Sequence, residues 1–491
     1  MSAFDAPMQL THVCRDWRVL VLDTSAMWAR IHIAVPVPSS WPSLPSLDLF
    51  KLKTQQRTEA TRTWLDRSGR HPLAISFYHE CDEHPARRDP SLRSDSELLQ
   101  LIMRYSSRWQ TIRLMFPFYD PFAPEGSELH IFNTVAQLTP SSLPNLVSFT
   151  IDTNSWSTNH VIPWDSLQLL RAQSLKHLAV PIYTPGTQLI DVSAQWAGLT
   201  SLEVTYALQT ADIPPSEILV VLEKCSGLRT LKLVNSVPWD GPGGHTNVPL
   251  TAPDAVLCPE LRDLQLVSTS AILSFIYCPQ LRHLDLVDRS PGCHGRLPAE
   301  DAQALRNGPT VEQLRSVFST APLLQTLRFH VGIPEVHGKL ETLMEALPPT
   351  LSTLEIIDSG VEKQVTDELI TNLGASQRCP RLAELVLRRC QLVSSKAIAA
   401  FLRSRCGPGD HSNPESSFRR LHSQYTTMPE DLDVYTEQVR GFMDAGIEVV
   451  IKASFKNGRF FSLFRGLELA RGEHDLIFPQ SYIDDDEQNW R

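Results

Sequence analysis

The sequence predicts an α/β solenoid: a leucine-rich-repeat stack with a parallel sheet on the concave side, helices on the convex side and a short N-terminal helical segment in front. Three observations predict it. The phrase Leu-x-x-Leu-x-Leu keeps returning, most clearly at Leu382, Leu385 and Leu387 within CPRLAELVLRRC. Its copies stand roughly 20 to 43 residues apart, most often about 30, the length of one solenoid repeat. Apolar residues at helical spacing precede several copies, as in Ile218-Leu219-Val221-Leu222, Val311-Leu314-Val317-Phe318 and Leu369-Ile370-Leu373.

Clear copies of the phrase lie at Leu228/Leu231/Leu233, Leu261/Leu264/Leu266 and Leu281/Leu284/Leu286. Looser ones lie at Leu146/Phe149/Ile151, Leu175/Leu178/Val180, Leu199/Leu202/Val204, Leu324/Leu327/Phe329 and Leu351/Leu354/Ile356. Side chains alternate along a strand, so in x-Leu-x-Leu both leucines share one face. A strand this short buries them only against its neighbours, which calls for a stacked parallel sheet.

Earlier in the chain, Trp64 and Leu65 close a helix, Ser68-Gly69 turns, and Leu73, Ile75 and Phe77 alternate as a strand. A helix at residues 97–105 leads into Trp109, Ile112 and Leu114, the first clear repeat strand. After Ala397, Ile398, Phe401 and Leu402 the phrase decays, and Ile447, Val449 and Ile451 read as a last strand. The expected organisation is a helical segment at 1–35, a Pro/Ser-rich linker at 36–58, the solenoid at 59–455 and an extension with an acidic tail at 456–491.

Composition narrows the function classes. With 42% hydrophobic and 20% charged residues the chain is an ordinary globular one. A net charge of −10 argues against a general nucleic-acid binder, which wants a basic face. No apolar run reaches the ~18 residues of a membrane helix, and the N-terminus lacks the pattern of a signal peptide. Nine cysteines include no Cys-x-x-Cys pair. Cys225, Cys258, Cys278 and Cys379 stand just before strands and Cys390 just after one, positions that suit buried free thiols and a reducing intracellular setting, cytoplasm or nucleus.

Residues 8–33, MQLTHVCRDWRVLVLDTSAMWARIHI, place Leu10, Val13, Trp17, Leu20 and Val21 at steps of mostly three or four, an amphipathic helix. A turn at Thr24-Ser25 returns Trp28 and Ile31 to the core, so the expectation is a small helical hairpin with Trp17 and Trp28 both buried. The string L-x-x-V-C-R-x-W-R, followed by a small-residue turn and Met-Trp, resembles the second half of an F-box as found in fungal F-box-like proteins. Leu10, Val13, Cys14, Arg15, Trp17, Arg18 and Trp28 carry the match. The later phrase WLDRSGRHPL, from Trp64 to Leu73, resembles the segment that follows the box in the same family. The Leu-Pro-x-Glu opening of a complete box is absent before Met8, so the box is expected to be truncated and to bind weakly or not at all as it stands. The resemblance implies a Skp-type adaptor as partner, contacted through Leu10, Val13, Cys14, Trp17 and Trp28. It further implies a cullin-type ubiquitin ligase around the chain and a protein substrate on the repeats.

No stretch calls for an enzyme, a metal or a cofactor. The cluster His79-Glu80-Cys81-Asp82-Glu83-His84 fits neither a helical His-Glu-x-x-His nor paired Cys-x-x-Cys ligands, and reads as a loop. Gly241-Pro-Gly-Gly244 lacks the spacing and the lysine of a phosphate loop. What the repeats offer is the strand face opposite the leucines. Its mixed-sign row supplies the candidate substrate contacts Lys232, Asp263, His283, Asp285, Arg328, Glu355 and Arg388. A row open to solvent would tolerate reversal of Lys232 and Arg328 without loss of fold. The alternative reading is a stand-alone repeat scaffold with a degenerate box and no ligase attachment.

Overall fold

The computed structural model describes residues 7–35, 46–78, 94–116, 130–153, 162, 164–182, 189–206, 215–235, 255–267, 271–287, 311–331, 340–358, 364–375, 379–390, 392–407, 417–425, 439–454, 460–462 and 466–468. They fall into two units, residues 1–260 and 261–491.

The first unit opens with helix α1 (Arg15–Asp23), a 3-10 turn at Ser25–Trp28 and strand β1 (Arg30–Ala34). Then come α2 (Ser46–Arg67), β2 (Leu73–Tyr78), α3 (Ser94–Met103), β3 (Trp109–Phe116), α4 (His130–Val135) and β4 (Ser148–Thr153). The unit continues with β5 (His177–Ile182), β6 (Ser201–Tyr206), α5 (Pro215–Lys224), β7 (Thr230–Asn235) and a two-residue strand, β8 (Val256–Leu257). Strands β1 to β7 pair in chain order, all parallel. Among the described residues, the crossovers into β5 and β6 hold short 3-10 turns.

The second unit runs β9 (Asp263–Val267), a 3-10 turn at Ala271–Phe275, β10 (Ile276–Tyr277), β11 (His283–Val287), α6 (Val311–Thr320) and β12 (Thr326–His330). It goes on through α7 (Leu340–Glu345), β13 (Thr353–Ile357), α8 (Asp367–Ala375), β14 (Glu384–Arg388), α9 (Ser395–Cys406), β15 (Arg420–Tyr425) and β16 (Glu448–Ser454). Here β9, β11, β12, β13, β14, β15 and β16 pair in that order, again parallel. Two short strands, β17 (Phe460–Ser462) and β18 (Gly466–Glu468), then add antiparallel.

Register explains the core. Leu264, Leu284, Leu327, Leu354, Leu385 and Leu421 stand side by side on successive strands, and each is at most 2% exposed. Leu178, Leu202 and Leu231 do the same in the first unit. In most copies of the phrase the strand is introduced by a tight turn in which the first leucine's N–H donates to the carbonyl three residues earlier. The bonds run from Leu228 to Cys225 (3.0 Å), Leu281 to Cys278 (3.1 Å) and Leu382 to Cys379 (3.1 Å), while Ala321 fills the same place before Leu324 (3.2 Å). That corner is buried and takes an apolar side chain, Leu143 and Trp196 in two other copies, so the cysteines serve there as small apolar residues. Burial pushes the Cys225 thiol up to about 12 and the Cys379 thiol up to about 11, so both are structural.

The sheet is longer than the sequence suggests. Pairing starts at Arg30 on β1, two strands before β3, and the stretch expected to remain a linker to residue 58 is helical from Ser46. Strand β15 sits where the phrase had decayed, because Ser423 takes a leucine place, fully buried and with no partner for its hydroxyl. Thr58 and Thr61, buried on α2, also leave their hydroxyls unpartnered, each at a cost of about 1–3 kcal/mol. Gly374 is required by the approach of α9 to α8, since a Cβ there would lie 2.9 Å from Phe401 Cα.

Glu217, in the first turn of α5, accepts the backbone N–H of Leu189 and thereby ties two crossovers of the first unit together. Burial raises its pKa, Asp191 adds to the rise, and the Leu189 bond only partly opposes it.

Two outcomes follow for stability. Replacing Leu264 with alanine should destabilise by about 2–5 kcal/mol in chemical denaturation, through lost burial and a cavity. Glu217 titrates higher folded than unfolded, so its ionisation weakens the fold as pH rises through the folded pKa. Glu217→Gln should therefore be more stable than wild type at pH 7.5, and the difference should vanish below the ordinary glutamate range of about 4.3. Denaturation curves of both proteins at the two pH values measure it.

Candidate functional site

The N-terminal segment is fastened by tryptophans, but not by the expected pair. Trp28 is buried, and its indole N–H donates to the Val21 carbonyl at 2.8 Å. Its ring meets Trp64 of α2 edge to face at 4.9 Å between centroids, with the Arg67 guanidinium 4.7 Å from the ring centre. Trp64 in turn donates to the Arg30 carbonyl at 3.1 Å. Ser68 accepts from Arg108 Nη2 at 2.6 Å, and Gly69 turns the chain at φ +58°, a left-handed angle that suits glycine. The phrase from Trp64 to Leu73 thus cements α1 and β1 onto the first repeats.

Trp17 does not belong to that core and corrects the expectation. It is 46% exposed, beside Val13 at 63% and Leu20 at 57%. Helix α1 has nine residues and buries only Val21. Trp28 meets α1 at Val21, and the other apolar side chains of the helix, Trp17, Val19, Leu20 and Leu22, are exposed. Cys14 is exposed and Leu10 half-buried. Of the residues that carry the box resemblance, Trp28 is a core anchor, whereas Val13, Cys14 and Trp17 lie on the surface.

The second candidate surface is the strand face opposite the leucines. In the second unit the structure brings six of the seven candidate contacts together. Asp285, Arg328 and Glu355 align on β11, β12 and β13, with Arg328 Nη1 3.5 Å from Asp285 and Nε 3.3 Å from Glu355. Arg388 Nε closes on the same Glu355 at 2.6 Å. Gln265 donates to Asp285 Oδ2 at 3.0 Å. One row over, His283 lies 3.8 Å from Asp263, and Arg420 bridges Glu384 (3.4 Å) and Glu448 (2.8 Å). Lys232, in the first unit, pairs with Glu203 at 2.6 Å, and Arg113 pairs with Asp152.

The row is not simply open to solvent, because its charges pair across strands as a ladder. The Arg328 and Glu355 side chains are only 20% and 16% exposed, so their pairing is worth more than that of a surface pair. The sequence does carry a signal of the ladder, since opposite charges recur at the same strand position in successive copies, but which of them pair depends on which strands are neighbours.

The clusters at His79–His84 and Gly241–Gly244 lie outside the described residues. Among the described residues no group of His, Cys, Asp and Glu could hold a metal ion, and no helix is long and apolar enough to cross a membrane.

This architecture defines a leucine-rich-repeat solenoid. No protein-family model matches the chain, and no curated protein does. Among solved structures it is similar to the complex of Rad7 and Elc1 in yeast, at 13% identity and a TM-score of 0.34, over 77% of this chain and 74% of that one. It is also similar to the leucine-rich repeat-containing protein LegL7 from Legionella pneumophila, at 10% identity and a TM-score of 0.31, over 88% and 92% of the two chains.

The ladder changes what charge reversal does. Arg328→Glu would set a third carboxylate between Asp285 and Glu355, and should destabilise by about 1–3 kcal/mol. Lys232→Glu, at a more exposed pair, should cost about 1 kcal/mol or less. Urea denaturation of the two single variants distinguishes them; equal losses would mean that the ladder contributes nothing to stability.

Proposed function

We propose that the chain is an F-box-like substrate-recognition adaptor of a Skp/cullin-type ubiquitin ligase, acting by binding rather than catalysis and recruiting a protein substrate through its repeats. The observation that carries this reading is the outward apolar face of α1. Trp17 and Leu20 are about half exposed or more, as is Val13 two residues before the helix begins, although a nine-residue helix has few apolar side chains to spare. Exposed apolar patches of this kind mark protein-interaction sites. Val13 and Trp17 are also residues that carry the resemblance to the box. Buried free thiols at Cys225, Cys258, Cys278, Cys379 and Cys390 suit a reducing compartment, and the reading places the protein in cytoplasm or nucleus.

The test is a titration of a Skp-type adaptor against the intact chain and against Trp17→Ala. An exposed aromatic anchor predicts that Trp17→Ala weakens binding by about tenfold or more while the melting temperature stays within about 2 °C. Trp28→Ala serves as the contrast, because it should lower the melting temperature. Absence of binding both by the wild-type chain and by a chain with a Leu-Pro-x-Glu helix restored upstream would refute the ligase reading and leave a stand-alone repeat scaffold.

A further inference from the structure

Along the strands of the second unit the described charges of the face are compensated, while Arg282, Arg381 and Arg419 at the rim are not. On the face, Asp263, Asp285, Glu355, Glu384 and Glu448 each lie within 4 Å of an arginine or histidine. The rim is the residue just before each strand, and the backbone fixes it as a row. Arg282 donates its N–H to the Arg262 carbonyl, Gln325 to Arg282, Ser352 to Gln325, Ala383 to Ser352 and Arg419 to Ala383, every bond 2.8 Å. Arg262, Arg282 and Arg419 are exposed on that row, and Arg381 is exposed in the turn that leads to Ala383. Arg282, Arg381 and Arg419 make no ion pair among the described residues. Between Arg282 and Arg419 the rim residues are neutral and small or flexible, and the turns leading into them hold no aspartate or glutamate.

We propose that this strand-start rim of the second unit binds an acidic protein segment in extended form. The inference rests on the reading of the repeats as the partner-recruiting part of the chain, and it names the chemistry of that partner. Four strand steps of ~4.8 Å put Arg419 about 19 Å from Arg282. About six extended residues cover that length, so one short acidic run reaches from Arg282 past Arg381 to Arg419. Guanidinium groups favour carboxylates through paired N–H donors. The face behind the rim does not repel such a segment, because its carboxylates are already taken. The whole chain carries −10, so its general field disfavours an acidic ligand, and binding of one would report a local basic site.

The experiment titrates a fluorescent decaglutamate peptide against the full chain at low salt. Saturable binding is expected, weakened about three- to tenfold by the double variant Arg282→Gln/Arg419→Gln. The control Arg315→Gln/Arg440→Gln, which removes the same charge away from the rim, should bind like wild type. Trp17→Ala should also bind like wild type, which keeps this test separate from adaptor docking. Absence of binding, equal losses in the two double variants, or tighter binding of an oligothymidylate than of the peptide would each overturn the proposal.

Discussion

A parallel strand of five or six residues has no hairpin partner to pair with, so its backbone groups and its leucines must be satisfied by the repeats on either side. The turn-and-rim hydrogen bonds set that contact. In most copies of the phrase the strand is entered through a bond from a leucine N–H to the carbonyl three places earlier, and the next N–H reaches the neighbouring rim. A one-residue slip would turn every leucine to the opposite face. The core, the charge ladder and the rim arginines all inherit their positions from this register.

What the sequence makes legible follows from the same constraint. Leucines at period two within copies of one phrase leave little freedom, and Leu231, Leu264, Leu284 and Leu385 lie in the core as the phrase implies. Helices α5, α6 and α8 also coincide with the apolar runs that announced them. Strands that lack the phrase were harder to see. In β1 the apolar places are Ile31 and Ile33 beside a helical motif, and in β15 the second leucine place is a serine. Pairing with neighbours, not local preference, makes both segments strands.

The sites were less legible than the fold. An apolar stripe on a helix reads the same whether it meets the core or a partner, so Trp17 could not be told from Trp28 by spacing. What decides is a competitor elsewhere in the chain: Trp64 and Arg67 already occupy the space around Trp28. Likewise a row of alternating charges is visible in sequence, but whether it faces a ligand or itself depends on strand adjacency. Glu355 is held by two arginines from two different repeats, separated from it by whole crossovers.

The tryptophan cluster has a mechanical consequence. Trp28 hangs from the Val21 carbonyl, leans on Trp64 and carries Arg67, while Trp64 grips the Arg30 carbonyl at the start of β1. Helix α1 is thereby tied through Val21 and Trp28 to α2, and through Trp64 to the start of β1. Trp64 is the joint common to both ties, so loss of its ring would release the support beside Trp28 and the grip on Arg30 together.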